Sequence, residues 1–327
     1  MAVLVCGGAG YIGSHCVYAL IDRNEKVVVV DNLQTGHAGA VHKEAKFFQG
    51  DIRNREFLDH IFMKNEIEAV IHFAANSLVG ASMTAPFAYY DNNVHGSQVL
   101  LETMNKYSVK NVVFSSTAAA YGEPKSIPVL ETDPTEPTNP YGETKLAVEK
   151  MMKWADKAYG IKHIILRYFN VAGAHESAVI GEDHQPETHL IPLILQVPLN
   201  KREHITIFGD NYDTHDGTCV RDYIQVMDLV EAHILALDKL RQGAGSSVYN
   251  LGNGEGFSVK EMIEAARKVT GHPIPAVVSD RRAGDPSKLI ASSQKVKEEL
   301  GWKPRFIDIE DIIATAWKWH NNKPNGF

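Results

Sequence analysis

A glycine-rich turn between an apolar strand and an amphipathic helix constrains this chain more than any other feature of its sequence. Residues 3–6 are apolar, and Gly7, Gly10 and Gly13 follow them. Gly7 permits a sharp turn, Gly10 lets the backbone approach a pyrophosphate, and Gly13 lets the helix pack close to the strand. The helix N-terminus then faces the anion. This pattern predicts a dinucleotide site, although glycines at this spacing also form purely structural turns.

Acidic residues follow the second and third predicted strands. The apolar run 27–30 ends in Asp31, 18 residues beyond Gly13. A carboxylate there accepts hydrogen bonds from an adenosine ribose and repels a 2′-phosphate, which favours NAD over NADP. Asp51 and Ile52 follow the third strand and are expected near the adenine. A role for Asp51 as the N-cap of the next helix is an equally good interpretation.

Apolar strands alternate with amphipathic helices as far as about residue 173. Further strands are predicted at 69–75, 111–117 and 163–170, and helices at 54–64, 86–107 and 141–159. About six such units predict an α/β fold with a doubly wound parallel sheet of the Rossmann type.

The sequence changes character after Gly173, where irregular segments lead into short strands. We therefore expect a second, smaller mixed α/β substrate domain over residues 174–327. Residues 1–173 are expected to form the dinucleotide-binding domain. We also assign segments near 226–260 to this first domain, because the helices predicted at about 226–240 and 258–269 can return and pack on it.

Three hydroxyl residues and a tyrosine–lysine pair are candidates for chemistry. The fifth strand ends in Ser115, Ser116 and Thr117, at an edge where ligands bind, although such clusters also form caps. Tyr141 and Lys145 lie one helical turn apart and share a face. A free phenol has a pKa of about 10. A nearby ammonium and a cationic nicotinamide favour the phenolate and lower this pKa, so that the phenol can act as a base.

Composition excludes several classes of function. Of the 327 residues, 44% are hydrophobic, which is enough to form a large core. The net charge of −7 argues against binding to nucleic acid or acidic membranes. The three cysteines lack metal-ligand spacing and indicate reduced thiols of a cytoplasmic protein. The histidines form no HExxH pattern, so His184 and His189 are expected in a surface loop and no metal is expected. Polar and proline residues at 192, 196 and 198 interrupt the longest apolar run.

Taken together, these segments resemble the extended short-chain dehydrogenases, and among them the UDP-sugar 4-epimerases. The likeness reaches Trp302 and so covers nearly the whole chain. It is carried by residues 7–13 (GGAGYIG), 31–32 (DN), 72–75 (HFAA), 115–117 (SST), 141–145 (YGETK), 167–170 (RYFN) and 217–223 (GTCVRDY).

The resemblance implies a tightly held NAD that oxidises a UDP-sugar at C4 and reduces it again, exchanging UDP-galactose and UDP-glucose in a homodimer. Tyr141 would take the proton of the 4′-hydroxyl, Lys145 would bind the nicotinamide ribose, and Thr117 would relay or orient the proton. The cofactor-binding residues it implies are Gly7, Gly10, Tyr11, Ile12, Gly13, Asp31, Asn32, Asp51, Ile52, Phe73, Ala74, Ala75, Asn93, Ser115, Tyr141, Lys145 and Phe169.

The same resemblance implies the substrate contacts. Asn170 would lie near the sugar diphosphate, Arg221 and Arg282 would hold it with bidentate guanidinium groups, and Asp285 would bind the uridine ribose. An ion pair of Arg221 with Asp222 or Asp228 is the alternative. The remaining implied contacts are Thr117, Leu190, Thr206, Ile207, Phe208, Tyr223 and Leu289.

Two positions depart from the family pattern. Ser77 stands where many members have a lysine that helps to bind the pyrophosphate. Leu289, of medium size, limits the room for a 2-acetamido group, so acceptance of N-acetylated UDP-sugars stays open.

Two other functions compete with epimerisation. A 4,6-dehydratase needs carboxyl groups beside the threonine, but Ala118 and Ala119 follow Thr117. A non-catalytic dinucleotide sensor shares the fold but has no need of the pair Tyr141 and Lys145.

Overall fold

The computed structural model describes residues 1–282 and 286–327. Its strands are β1 (Ala2–Cys6), β2 (Val27–Asp31), β3 (Lys46–Gln49), β4 (Ile67–His72), β5 (Asn111–Ser115), β6 (Lys162–Tyr168), β7 (Asn170–Ala172), β8 (Ile205–Phe208), β9 (Val220–Arg221), β10 (Tyr223–Gln225), β11 (Ser247–Leu251), β12 (Phe257–Ser258), β13 (Ala276–Ser279) and β14 (Lys288–Leu289). Its helices are α1 (Tyr11–Asp22), α2 (Arg55–Lys64), α3 (Val79–Thr84), α4 (Pro86–Tyr89), α5 (Gly96–Lys106), α6 (Pro140–Tyr159), α7 (Leu190–Leu195), α8 (Val226–Arg241), α9 (Val259–Thr270), α10 (Gln294–Leu300) and α11 (Ile309–Asn322).

A seven-stranded parallel sheet forms the centre of the molecule, in the order β3-β2-β1-β4-β5-β6-β11. This confirms the predicted doubly wound α/β fold. The alternation of strands and helices predicted the strands as far as β6. The strand at the far edge, β11, comes from the second half of the chain and was not predicted.

Alternate side chains of each central strand enter different cores, as the pleat of a strand requires. Val3 and Val5 of β1 pack with α1 and α8 on one face of the sheet. Leu4 and Cys6 pack with α2, α5 and α6 on the other. Because both faces are covered, the central strands β1 and β2 are almost continuously apolar.

A third core lies in the later part of the chain, among α7, α9 and α11 and the short strands β8 and β10. Here β13 pairs with β8, and β9 pairs with β12 and β14. The two helices expected to return to the first domain behave differently. Helix α8 packs against α1 and the large sheet, whereas α9 packs against α7 and α11.

The single helix predicted at 86–107 is interrupted. Between α4 and α5 the backbone forms a π-helical turn, Tyr90–His95, which contains the buried Asn92 and Asn93. Oδ1 of Asn93 accepts the Asn76 amide at 2.8 Å, and its Nδ2 donates to Thr144 at 3.0 Å. Turns of this kind are frequent at functional sites.

No helix in the described ranges is both long enough and apolar enough to span a membrane.

A buried ion pair joins α6 to the sheet. Glu149, 4% exposed, accepts from Nε and Nη2 of Arg167 at 3.0 and 2.5 Å, and Ser116 donates to it at 2.5 Å. The guanidinium carbon lies 4.8 Å from the ring centroid of Tyr121. Every partner of this pair is therefore in place, which a buried charge requires.

We predict that Glu149→Gln lowers the free energy of unfolding by about 3 kcal/mol, because it leaves the buried Arg167 charge uncompensated. Urea unfolding followed by circular dichroism measures this loss. The matched control, Glu143→Gln, changes an exposed position of the same helix and should stay within about 0.5 kcal/mol of wild type. Equal effects of the two variants would contradict the role given to the pair.

Candidate active site

One cleft opens at the carboxyl ends of the central strands and is closed on its other side by the later part of the chain. Most of the predicted cofactor residues line it. These are Gly7, Gly10, Tyr11, Ile12, Gly13, Asp31, Asn32, Asp51, Ile52, Phe73, Ala74, Ala75, Tyr141, Lys145 and Phe169.

The glycine turn is held by a carboxylate from the next strand. Asp31 accepts the Ala9 amide at 3.0 Å and the Leu33 amide at 2.8 Å. Burial raises the pKa of Asp31, and these two hydrogen bonds oppose the rise. At Gly13 a Cβ atom would overlap the carbonyl oxygen of Gly7, so only glycine lets the helix approach this closely.

Asp51 lies on the cleft wall and does not cap a helix. The N-cap of α2 is Asn54, whose side chain accepts the Phe57 amide, so the capping interpretation was wrong. Nδ2 of Asn32 donates to Asp51 at 3.2 Å. The Arg53 guanidinium beside Asp51 lowers the pKa of this carboxyl to about 2.

Two predicted cofactor residues, Asn93 and Ser115, are not among the residues that line the cleft. Both are buried behind its wall, where Asn93 fixes the Asn76 backbone. The Ser115 carbonyl accepts Nζ of Lys145 at 2.8 Å, and its hydroxyl lies 2.7 Å from that of Tyr168. These two residues therefore position their neighbours.

Tyr141, Lys145 and Thr117 meet at the centre of the cleft. Helix α6 begins at Pro140 because Asn139 caps it by accepting the Gly142 amide at 2.9 Å. Tyr141 therefore sits in the first turn, with Lys145 one turn further along, and both are buried.

The pKa values of this pair differ from the sequence expectation. Burial raises the pKa of Tyr141 to about 12, opposed by a hydrogen bond with Thr117. Burial also lowers the pKa of Lys145 to about 7, opposed by the charge of Glu149. Protein groups alone therefore do not lower the phenol pKa, because the same burial that protects the site disfavours both charges.

The predicted substrate residues form two sets. Thr117, Asn170, Leu190 and Tyr223 line the cleft, but the other predicted positions in the described ranges do not. Thr206, Ile207 and Phe208 belong to β8, where the Arg282 guanidinium carbon lies 4.0 Å from the Phe208 ring centroid. Leu289 is paired with Arg221 between β14 and β9. Asp285 lies outside the described residues.

The carboxylates of Asp222 and Asp228, the alternative partners of Arg221, both accept backbone amides. The Asp222 carboxylate accepts the amides of Asn253, Gly254 and Ala291, and Asp228 accepts those at residues 305 and 306. Arg221 itself donates to the Val220 carbonyl at 2.8 Å. Tyr223, two residues further on, pairs with Asn170 and so connects this segment to the cleft.

Sequence reasoning missed other residues that line the cleft. Tyr168 belongs to the motif at 167–170 but was assigned no role. Ser77 was identified only as a departure from the lysine of the family pattern. Residues in the segment 182–192 gave no periodic signal. The missed residues include Gln34, Thr35, Asn76, Asn92, Tyr168, Glu182, His184, His189, Ile191 and Pro192.

His184 and His189 lie in a loop, as expected, but they face the buried Glu182. Nδ1 of His189 lies 2.5 Å from Oε1 of Glu182, and Nδ1 of His184 lies 3.3 Å from the same oxygen. Burial disfavours a charge on His184, but Glu182 and Glu187 outweigh this effect and raise its pKa to about 10.

Comparison with known proteins gives a consistent picture. Residues 3–252 match the model of the NAD dependent epimerase/dehydratase family. A UDP-glucose 4-epimerase of Streptococcus mutans is 60% identical over 100% of this chain and 99% of its own length. A crystal structure of a UDP-glucose 4-epimerase superposes with a TM-score of 0.99 at 58% identity, covering 100% of this chain and 99% of that one. The Bifidobacterium longum UDP-glucose 4-epimerase, in complex with NAD⁺ and UDP, has a TM-score of 0.94 at 40% identity, with full coverage of both chains.

Two glycines of the turn should respond differently to the same substitution. A Cβ atom at Gly10 would meet its nearest atom, the Gly7 oxygen, at an ordinary 3.5 Å, whereas one at Gly13 would overlap it. We predict that Gly10→Ala loses bound dinucleotide but keeps the melting temperature of the dinucleotide-free wild type, because the methyl group points into the binding space without a clash. Gly13→Ala should lower the melting temperature by several degrees, in line with a cost of about 1–3 kcal/mol.

Thermal unfolding and dinucleotide content after denaturation measure the two effects. The variants act as controls for each other. A Gly10→Ala protein that retains its full dinucleotide would remove this turn from the binding site.

Proposed function

Because the chain belongs to the NAD dependent epimerase/dehydratase family, we propose that it interconverts UDP-galactose and UDP-glucose through a transient 4-keto sugar. The observation that carries this proposal is the burial of Tyr141, Lys145 and Thr117 together in the cleft that the glycine turn opens. The relatives that match over the full chain support the same reaction.

The residues of the cleft fit NAD. The turn at Gly7, Gly10 and Gly13 offers backbone amides to the pyrophosphate, and Asp31 accepts from the adenosine ribose. Asp51 and Ile52 bind the adenine. When bound, NAD accepts hydride from the sugar carbon C4 and returns it, and its oxidised ring adds a positive charge to the site.

Tyr141 carries out the proton transfer. Its phenol takes the proton of the 4′-hydroxyl and later returns it, with Thr117 orienting or relaying that proton. Lys145 hydrogen-bonds the nicotinamide ribose, and its ammonium favours the phenolate. Since burial holds the pKa of Tyr141 at about 12 and that of Lys145 at about 7, the phenolate depends on the additional positive charge of the occupied site.

The later part of the chain anchors UDP while the 4-keto sugar turns over. Asn170 lies at the inner end, and Arg221 and Arg282 bind the diphosphate. Asp285 binds the uridine ribose, and the uracil pocket is formed by Leu190, Thr206, Ile207 and Phe208. Because the anchor leaves the sugar free to rotate, hydride returns to the opposite face and no net oxidation results.

A 4,6-dehydratase is disfavoured by the residues after Thr117. Ala118 and Ala119 form the 3₁₀ turn at this point, and neither provides an acid or base for removing water. A dehydrated 4-keto product from a UDP-sugar would overturn the epimerase assignment.

The second candidate is the same reaction on UDP-N-acetylglucosamine and UDP-N-acetylgalactosamine. Leu289, which is half-buried and of medium size, favours neither exclusion nor free entry of a 2-acetamido group. The products formed from UDP-glucose and UDP-N-acetylglucosamine, assayed side by side, decide between a narrow and a broad substrate range.

A homodimer accounts for the exposed apolar residues on α3, α4 and α6. Phe87 is 86% exposed, Met83 60% and Trp154 65%. Exposed apolar side chains on helices that contact each other indicate an interface. We therefore propose that the helices at 86–106 and 140–159 pair with the same helices of a second copy. The buried thiols of Cys6 and Cys16 suit a reducing, cytoplasmic location.

We predict that Tyr141→Phe keeps its fold and bound NAD but loses about 1,000-fold in turnover, because the proton acceptor is gone. The measurement is conversion of UDP-galactose to UDP-glucose without added NAD, beside the NAD content of the denatured protein. Tyr159→Phe, at an exposed position of the same helix, is the matched control and should retain full activity. Near-normal turnover of Tyr141→Phe would remove this residue from its role.

Sedimentation velocity is expected to give twice the mass of one chain, and Phe87→Glu should shift the protein to monomers, because a charge cannot be buried unpaired in an apolar interface. Ile307→Glu changes another exposed apolar residue, in the later part of the chain, and should leave the dimer intact. A monomeric wild-type protein would refute the proposed pairing.

A further inference from the structure

Four potential metal ligands cluster on the wall of the cleft, apart from the residues that carry the chemistry. Glu182, His184, Glu187 and His189 each offer one nitrogen or oxygen atom, and these atoms all lie within 4.8 Å of one another. The four residues span only eight positions, in the loop that precedes α7.

The spacing of these atoms approaches that of a tetrahedral site. Ligand atoms about 2.0–2.1 Å from a zinc ion lie about 3.3 Å from each other. Nδ1 of His184 is 3.3 Å from Glu182 and 3.7 Å from Glu187, and Nδ1 of His189 is 3.7 Å from Glu187. Nδ1 of His189 is closer to Glu182, at 2.5 Å.

Charge also favours a cation. Metal ligation requires both imidazoles to release their protons, and the two carboxylates then give the cluster a charge of about −2. Glu182 is 3% exposed, so its charge needs a partner inside the protein. A divalent ion would balance both carboxylates.

Two buried imidazole nitrogens at the cluster have no hydrogen-bond partner within the described residues. One is Nδ1 of His184, which lies 3.3 Å from a Glu182 oxygen without hydrogen-bond geometry, and the other is Nε2 of His320 on α11. Buried polar nitrogens are nearly always satisfied in native proteins, so an unsatisfied one calls for a missing partner.

We propose that Glu182, His184, Glu187 and His189 bind a structural zinc ion. Two imidazoles and two carboxylates in a tetrahedron suit zinc, whereas calcium and magnesium prefer six or more oxygen ligands. With all four positions filled by the protein, the ion has no open site for substrate. The short spacing E-x-H-x-x-E-x-H explains why a search for HExxH gave no indication of this site.

The ion would fix the substrate side of the cleft to the cofactor side. His189 immediately precedes Leu190, the first residue of α7, and the ring of His184 meets the edge of Tyr11 at 6.1 Å between centroids. The Glu182 carbonyl accepts Nε1 of Trp319 at 3.1 Å. One ion would therefore connect α7, α1 and α11. This role does not depend on which sugar reacts.

Metal analysis of untagged protein, purified without chelators, tests the proposal. Mass spectrometry is expected to find about one zinc ion per chain in the wild type and at least tenfold less in His184→Asn/His189→Asn. The matched control, His60→Asn/His272→Asn, removes two exposed histidines elsewhere and should keep the zinc. Equal zinc in all three proteins would overturn the assignment.

A second measurement uses the wild type alone, in case the double variant fails to fold. Chelator-treated wild-type protein should take up about one zinc ion per chain in competition with a chromophoric chelator, with a rise of several degrees in melting temperature. X-ray absorption should show nitrogen and oxygen neighbours at about 2.0–2.1 Å. Failure to take up zinc, or a sulfur neighbour at about 2.3 Å, would overturn the proposal.

Discussion

The cleft depends on the close approach of the β1–α1 turn to the strands beside it. A Cβ atom at Gly13 would overlap the Gly7 oxygen, and one at Gly7 would lie 2.6 Å from the Ala74 nitrogen. Asp31 holds the same turn from β2 through the Ala9 amide. Since β1, β2 and β4 are adjacent in the sheet, the backbone of the turn is positioned by three neighbouring strands.

Burial also sets the pKa values of the reactive pair, Tyr141 and Lys145. Nζ of Lys145 donates to the Ser115 carbonyl and lies 4.8 Å from the ring centroid of Phe114, with Tyr141 buried one turn away. In this apolar surrounding the pKa of the phenol rises and that of the amine falls, so both groups tend toward their neutral forms. The protonation of both groups therefore responds strongly to an added charge. A cationic ring placed beside Tyr141 has a larger effect here than it would have in water, because the local dielectric constant is low.

The sequence predicted the parts of the molecule that follow a periodic rule. The strands β1 to β6, the glycine turn and the face shared by Tyr141 and Lys145 all obey such rules. Strand β11 was missed because a short edge strand far along the chain lacks an adjacent helix pattern. The π-helical turn at Asn92 and Asn93 was missed because it is set by tertiary hydrogen bonds to Asn76 and Thr144. The loop residues Glu182 and His184 converge only through packing, which no spacing rule describes.

The substrate side of the cleft is shaped by backbone contacts that centre on one buried carboxylate. Asp222 accepts the amides of Asn253, Gly254 and Ala291, and its own carbonyl accepts the Asn170 amide at 3.1 Å. Burial raises the pKa of this carboxyl to about 6, opposed by the three amides. Three loops distant in sequence are thus held to the segment that carries Arg221 and Tyr223. Because the donors are main-chain amides, the side chains of Asn253, Gly254 and Ala291 do not contribute to these three bonds, which depend on the carboxylate of Asp222 alone.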